Sequence, residues 1–164
     1  MLENIQSNFN KRESVWDYPR PPAVEDVSQR IKIVFNGKLI VDSQLAKRVL
    51  ETSHPPTYYI PIKDIKPGIL KRSSKGTYCE WKGEAKYYDV VVDDLTAKNA
   101  AWFYPNPVSR YEEIKDYVAF YANKMEACYV GDERIKPQEG NFYGGWITSN
   151  LDGPFKGGRG IVGW

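Results

Sequence analysis

The chain has 164 residues, 41% hydrophobic and 27% charged, which suits one domain with a core and excludes a disordered polymer. Its 23 Lys and Arg nearly balance 21 Asp and Glu; a net +2 makes no case for a dedicated nucleic-acid or membrane-surface protein. No apolar run approaches a spanning helix, and Met1-Leu2-Glu3-Asn4 lacks a secretory pattern, so a cytoplasmic location without membrane contact is expected. In chain order, residues 1–13 are polar and aperiodic and read as a loose arm. Pro19, Pro21 and Pro22 then favour an extended strap, with Trp16 and Tyr18 available to pin it.

Residues 14–135 read as a single β-rich domain, because 5 Trp, 12 Tyr and 6 Phe suit pleated, half-buried surfaces. Arg30 to Phe35 and Lys38 to Val41 flank Asn36-Gly37, a pair that tolerates positive φ and predicts a tight hairpin. Ala46 to Leu50 fits a short helix or a strand. Thr57 to Ile62 reads as an edge strand or a strand end because it holds Pro61. Lys66 to Gly76 reads as a loop. Thr77 to Lys82, Ala85 to Val92 and Asn99 to Tyr104 read as successive strands.

Ser109 and Glu112 have capping-box spacing, followed by Ile114, Tyr117, Val118 and Tyr121 at helical intervals. A short helix near 109–117 is predicted, then a hairpin pairing Val118 to Tyr121 with Met125 to Val130. Residues 136–164 form a glycine- and aromatic-rich extension: 8 of 13 glycines lie from Gly140 onward, among Phe142, Tyr143, Trp146, Phe155 and Trp164. Ordering glycine is entropically costly, so the rings must anchor this tail, on the domain or on a second copy as a homodimer. Trp146 and Phe155 are the expected anchors.

Four segments carry a family resemblance: Glu13-Ser14-Val15-Trp16-Asp17-Tyr18-Pro19-Arg20-Pro21-Pro22, Glu51-Thr52-Ser53-His54-Pro55-Pro56-Thr57-Tyr58-Tyr59-Ile60-Pro61, Cys79-Glu80-Trp81-Lys82-Gly83-Glu84-Ala85-Lys86-Tyr87-Tyr88 and Ala100-Ala101-Trp102-Phe103-Tyr104-Pro105. Across about residues 13–135 the chain resembles the domain-of-unknown-function 427 family. That resemblance implies a mainly β, β-tent-like fold of two antiparallel sheets meeting at an angle. The family is sometimes labelled nucleotidyltransferase-like. Here the carboxylates Asp89, Asp93 and Asp94 follow no phosphate-cradling glycine loop, so the sequence gives that chemistry little support.

The resemblance places a site near His54, Cys79 and Lys82. His54 and Cys79 are the catalytic candidates, though an enzymatic role stays open. Ser53, His54, Tyr58, Tyr59, Cys79, Trp81, Lys82 and Trp102 are the expected ligand-binding residues, walling a pocket for a small polar or planar molecule. His54 either lines that pocket or braces a turn. Glu51 and Ser53 flank it, but neighbouring residues on a strand point apart, so no Ser-His-acid set is read. Strand alternation puts Cys79 and Trp81 on one face and Lys82 on the other, against a direct Cys79–Lys82 pair. Cys128 is the other thiol, a candidate to resolve an oxidised Cys79. Two Cys and one His are too few for a zinc cage; no metal and no cofactor are expected. The competing reading is a non-catalytic interaction module using the strap and tail. Single-stranded nucleic acid, on the basic stretch Lys63 to Lys86, is the weakest option.

Overall fold

A computed structural model describes residues 11–140 and 142–157. The expectations for residues 1–10 and for Trp164 fall outside them. The fold is mainly β. In chain order its strands are β1 (Glu13–Ser14), β2 (Ala23–Asp26), β3 (Ile31–Phe35), β4 (Lys38–Ser43) and β5 (Lys47–Leu50). Then follow β6 (Thr57–Tyr59), β7 (Leu70–Cys79), β8 (Gly83–Val92), β9 (Leu95–Phe103) and β10 (Val118–Phe120). The last five are β11 (Ala127–Val130), β12 (Glu133–Arg134), β13 (Lys136–Pro137), β14 (Trp146–Ile147) and β15 (Leu151–Asp152).

Asn36 and Gly37 take φ of 49° and 73°, the left-handed values that the β3–β4 turn requires. With β11 and β12 this hairpin forms an antiparallel sheet in the order β12-β11-β3-β4. The orders β2-β5-β6 and β10-β9-β8-β7 form two further antiparallel sheets. Ile60 and Val118 exchange both backbone hydrogen bonds at 2.8 Å, which splices these two into one seven-strand surface.

Side-chain alternation across that surface organises the molecule. One face, with Tyr58, Ile60, Val90, Phe103, Val118 and Phe120, packs on Ile31, Ile33 and Val41 of the other sheet. The opposite face carries Tyr59, Tyr87, Trp102, Tyr104, Ala119 and Tyr121. Tyr58 and Tyr59 therefore point to opposite sides of one strand, as a two-residue period demands.

One expectation is sharpened and two are corrected. The short helix expected near 109–117 is present as a 3-10 helix, Ser109–Ile114, interrupted at Tyr111 and capped by Val108 without a side-chain bond, so the capping box at Ser109 and Glu112 is not formed. Six residues give too few hydrogen bonds to offset nucleation, and Tyr111 and Ile114 are buried three residues apart, the 3-10 period. The predicted 118–130 hairpin does not form. A 3-10 turn, Ala122–Lys124, joins the two strands, but β10 pairs with β9 while β11 pairs with β3 and β12. Finally, the loop read over Lys66 to Gly76 contains most of β7, a largely exposed edge strand with a bulge between Arg72 and Gly76 and no apolar alternation to betray it.

The strap and tail close over the domain. Val15–Asp17 is a 3-10 turn rather than extended chain, Val15 is fully buried, and the Tyr111 hydroxyl donates to the Pro22 carbonyl at 2.8 Å. Trp146 is 1% exposed, stacks on Tyr58 at 5.1 Å, and donates its indole N–H to the Phe120 carbonyl at 3.2 Å. Phe155 packs, half-buried, against Val15, Tyr18, Leu50 and Leu151. β1 pairs in parallel with β15, so Glu13 and Ser14 are tied to the tail. The described part of the tail thus packs on its own chain.

Candidate functional site

The aromatic face of the seven-strand surface floors a cavity of about 390 Å³. Tyr59, Tyr87, Trp102 and Tyr121 rise into it from four neighbouring strands or their ends. The connection between β5 and β6 brings Glu51, His54 and Pro55; the β7–β8 turn brings Cys79, Trp81 and Lys82. The tail supplies the remaining wall through Gln138, Tyr143, Gly144 and Lys156.

Of the residues expected to bind ligand, His54, Tyr59, Cys79, Trp81, Lys82 and Trp102 line this one cavity. Tyr58 does not, because alternation turns it into the inter-sheet core against Trp146. Ser53 is fully buried behind the wall. Its N–H donates to Val15 and its carbonyl accepts from the Lys156 N–H at 2.7 Å, so it joins strap, tail and the His54 turn. Ser53 takes φ of 74°, a strained value for a residue with a Cβ, immediately before His54.

Gln138 sets the state of His54. The Gln138 Oε1 accepts the Gly145 N–H at 3.0 Å, which orients the amide and leaves Nε2 as the donor. That nitrogen donates to the Lys156 carbonyl at 2.7 Å and faces His54 Nδ1 at 3.3 Å. Nδ1 is therefore the acceptor, and the ring proton sits on Nε2, 3.9 Å from a Glu51 carboxylate oxygen. Burial, aided by the charges of Lys156, Lys82 and Arg20, lowers the His54 pKa to about 4. At neutral pH the imidazole is uncharged and presents an N–H.

Lys82 is 7% exposed, with its ammonium 5.8 Å from the centroid of the Tyr104 ring. Burial opposes its charge, but Tyr59, Cys79 and Glu51 outweigh that and raise its pKa, so it stays cationic. Lys82 lines the same cavity as Cys79, which corrects the alternation argument. β7 ends at Cys79, and Glu80–Lys82 is the turn into β8, where Gly83 adopts φ of 110°. Period-2 geometry does not run through a turn. Lys156 lies 5.4 Å from the centroid of Tyr143. Neither lysine forms an ion pair among the described residues.

Cys128 cannot serve Cys79 as a resolving thiol. It is 2% exposed in the inter-sheet core, on the other side of the seven-strand surface, and burial raises its pKa. A second hollow of about 440 Å³ lies beside Arg48 and Tyr58, but there the guanidinium is already matched by Glu13 at 2.9 Å and by Glu25. The described residues contain no group of three or more His, Cys, Asp or Glu placed to hold a metal ion. They contain no helix long and apolar enough to cross a membrane.

The family described as Domain of unknown function (DUF427) matches residues 23–131, more than half of the chain. The chain belongs to that family. No curated protein matches it. The DUF427 segment contains the cavity floor, His54, Cys79 and Lys82, and it stops before Gln138, Tyr143 and Lys156. The floor is thus built from family sequence and one wall from the extension beyond it. That wall escaped the sequence reading, which missed Gln138, Tyr143 and Lys156. Gly144-Gly145 was the available signal. A Cβ on Gly144 would fall 2.3 Å from the Trp102 ring, and one on Gly145 would fall 2.5 Å from the Pro55 carbonyl, so only glycine lets the tail lie this close.

Proposed function

We propose that the protein binds a small planar molecule bearing one negative charge, with its ring between the aromatic walls and its anionic group at Lys82. The observation that carries this reading is the pair of cations, Lys82 and Lys156, lining an aromatic cavity without ion-pair partners among the described residues. Glu51, Tyr59 and Cys79 favour the Lys82 charge, but no carboxylate among the described residues reaches ion-pair distance of it, so an entering carboxylate gains a direct charge-assisted contact. The His54 Nε2–H, 3.9 Å from a Glu51 carboxylate oxygen, adds a neutral donor. Two ammonium groups and one N–H suit a carboxylate better than a phosphate, which is usually cradled by several backbone N–H groups. The volume is in the range of small-molecule sites.

A neutral His54 donating from Nε2 is no general base, so the reading is of a binding site and makes no claim of catalysis. The alternative, an interaction module presenting strap and tail, loses its main anchor because Trp146 is buried against its own domain. Fluorescence titration with 2-naphthoate tests the proposal, since Trp81 and Trp102 line the cavity. Saturable quenching is expected, about tenfold tighter than for the uncharged 2-naphthyl methanol, with the difference erased in Lys82→Met. Absence of saturable change with either probe overturns it.

A further inference from the structure

We propose that Cys79 is a covalent capture site for planar α,β-unsaturated carbonyl compounds that enter the cavity. This rests on the reading that the cavity takes planar molecules and goes beyond it to a bond-forming residue. Cys79 is a partly exposed thiol on the cavity wall, facing the same space as Tyr59, Trp81 and Trp102. Independently, Lys82 is more than nine-tenths buried and lines the same cavity as Cys79 without an ion pair among the described residues. A nucleophile and a cation therefore stand together where a flat electrophile would lie.

The addition uses both. The sulfur forms a bond to the β-carbon, and the carbon–carbon π electrons shift to the carbonyl oxygen, giving an enolate. The thiol proton passes to water as the sulfur attacks, and water returns a proton to the α-carbon. S–H has added across C=C, with no leaving group, oxidant or reductant. The Lys82 ammonium stabilises the enolate charge as it develops, an effect strengthened where water is scarce. Holding the ring against the aromatic floor supplies the proximity. Cys128, buried on the far side of the sheet, does not compete.

N-phenylmaleimide is the probe, with adduct formation followed by intact mass and located by peptide mapping. The expected result is saturable labelling of Cys79, at least about tenfold faster than the labelling of glutathione at the same pH. Cys79→Ser removes the adduct. Lys82→Met lowers the limiting rate about tenfold or more, while Lys82→Arg, which keeps the cation, retains most of it. Labelling of Cys79 no faster than glutathione overturns the capture proposal. If 2-naphthoate still binds, the cavity reading survives that failure. Labelling linear in probe, with neither binding of naphthoate nor protection by it, removes both.

Discussion

The Gln138 amide nitrogen lies 3.3 Å from Nδ1 of His54, a contact that spans 84 residues of sequence and joins the tail to the family segment. Gln138 is 3% exposed and also satisfies the Lys156 carbonyl and the Gly145 N–H. Replacing it with Met keeps the bulk and leaves these three groups without their partner. The expected loss is about 1–3 kcal/mol in denaturant unfolding, because buried unpaired groups forfeit their solvation. Binding of 2-naphthoate weakens in the same variant, since His54 is no longer held in the Nε2–H form.

His54 makes stability depend on pH. Its pKa is lowered to about 4 in the fold and returns to about 6.5 on unfolding. Between those values the unfolded chain binds the extra proton, so stability is complete above about pH 6.5 and falls as the pH drops through about 4. The largest contribution is about 3 kcal/mol. Measured against pH, the stability difference between wild type and His54→Gln should shrink across this window and level off below it. A difference that stays constant from pH 7 to pH 4 contradicts a buried neutral imidazole.

Ligand binding carries the opposite trend. An anion at Lys82 and Lys156 offsets two of the charges that lower the His54 pKa, so the imidazole takes up a proton more readily in the complex. Affinity for 2-naphthoate should therefore rise as the pH falls from 7 towards 5, where the probe is still ionised. His54→Gln should flatten that slope. Calorimetry in buffers of different ionisation enthalpy reads the proton uptake directly.

Much of the fold is legible where alternation and turn chemistry agree. Asn36-Gly37 specifies a hairpin locally, and Val90, Trp102 and Phe103 lie in runs whose β-character is plain. What failed lies where one rule was carried past its domain. A two-residue period would place Lys82 on the far face, but that period ends at Cys79. The same period separates Tyr58 from Tyr59, so of the two expected at the pocket only Tyr59 reaches it. The short helix expected near 109–117 is present in 3-10 form, six residues being too short for the α form. Gln138 and Lys156 reach the site through tertiary packing of the tail, for which no local pattern exists.

The close approach at Gly144 is open to a direct test. A Cβ there would meet Trp102 Cη2 at 2.3 Å and Cζ3 at 2.9 Å, with Tyr121 at 3.3 Å behind. The Trp102 ring is packed against Tyr121 at 4.5 Å and cannot swing aside freely. Gly144→Ala should cost about 1–3 kcal/mol by overpacking and reduce naphthoate binding, because the displaced ring is part of the cavity floor. Gly76→Ala is the control, since its added Cβ meets only the Ala85 carbonyl at an ordinary 3.5 Å. Equal stability and binding in the two variants would contradict the tail's seating on Trp102.

Trp146 is the test of what the tail does for the domain. Its ring is 1% exposed, stacked on Tyr58, and its indole N–H satisfies the Phe120 carbonyl of β10. Its own backbone N–H donates to Pro56 at 2.8 Å, two residues after His54. Trp146→Ala should therefore lower unfolding free energy by about 3–5 kcal/mol, the cost of an emptied aromatic site in a core. Trp146→Phe restores most of the apolar volume but not the indole bond, and should recover part of that loss. The two variants separate packing from hydrogen bonding. They also separate a structural tail from a recruitment segment: a segment kept for a partner can lose its tryptophan with the melting temperature unchanged. A tail that completes the core and carries Tyr143 and Lys156 to the cavity cannot, and in the Ala variant stability and naphthoate binding should fall together.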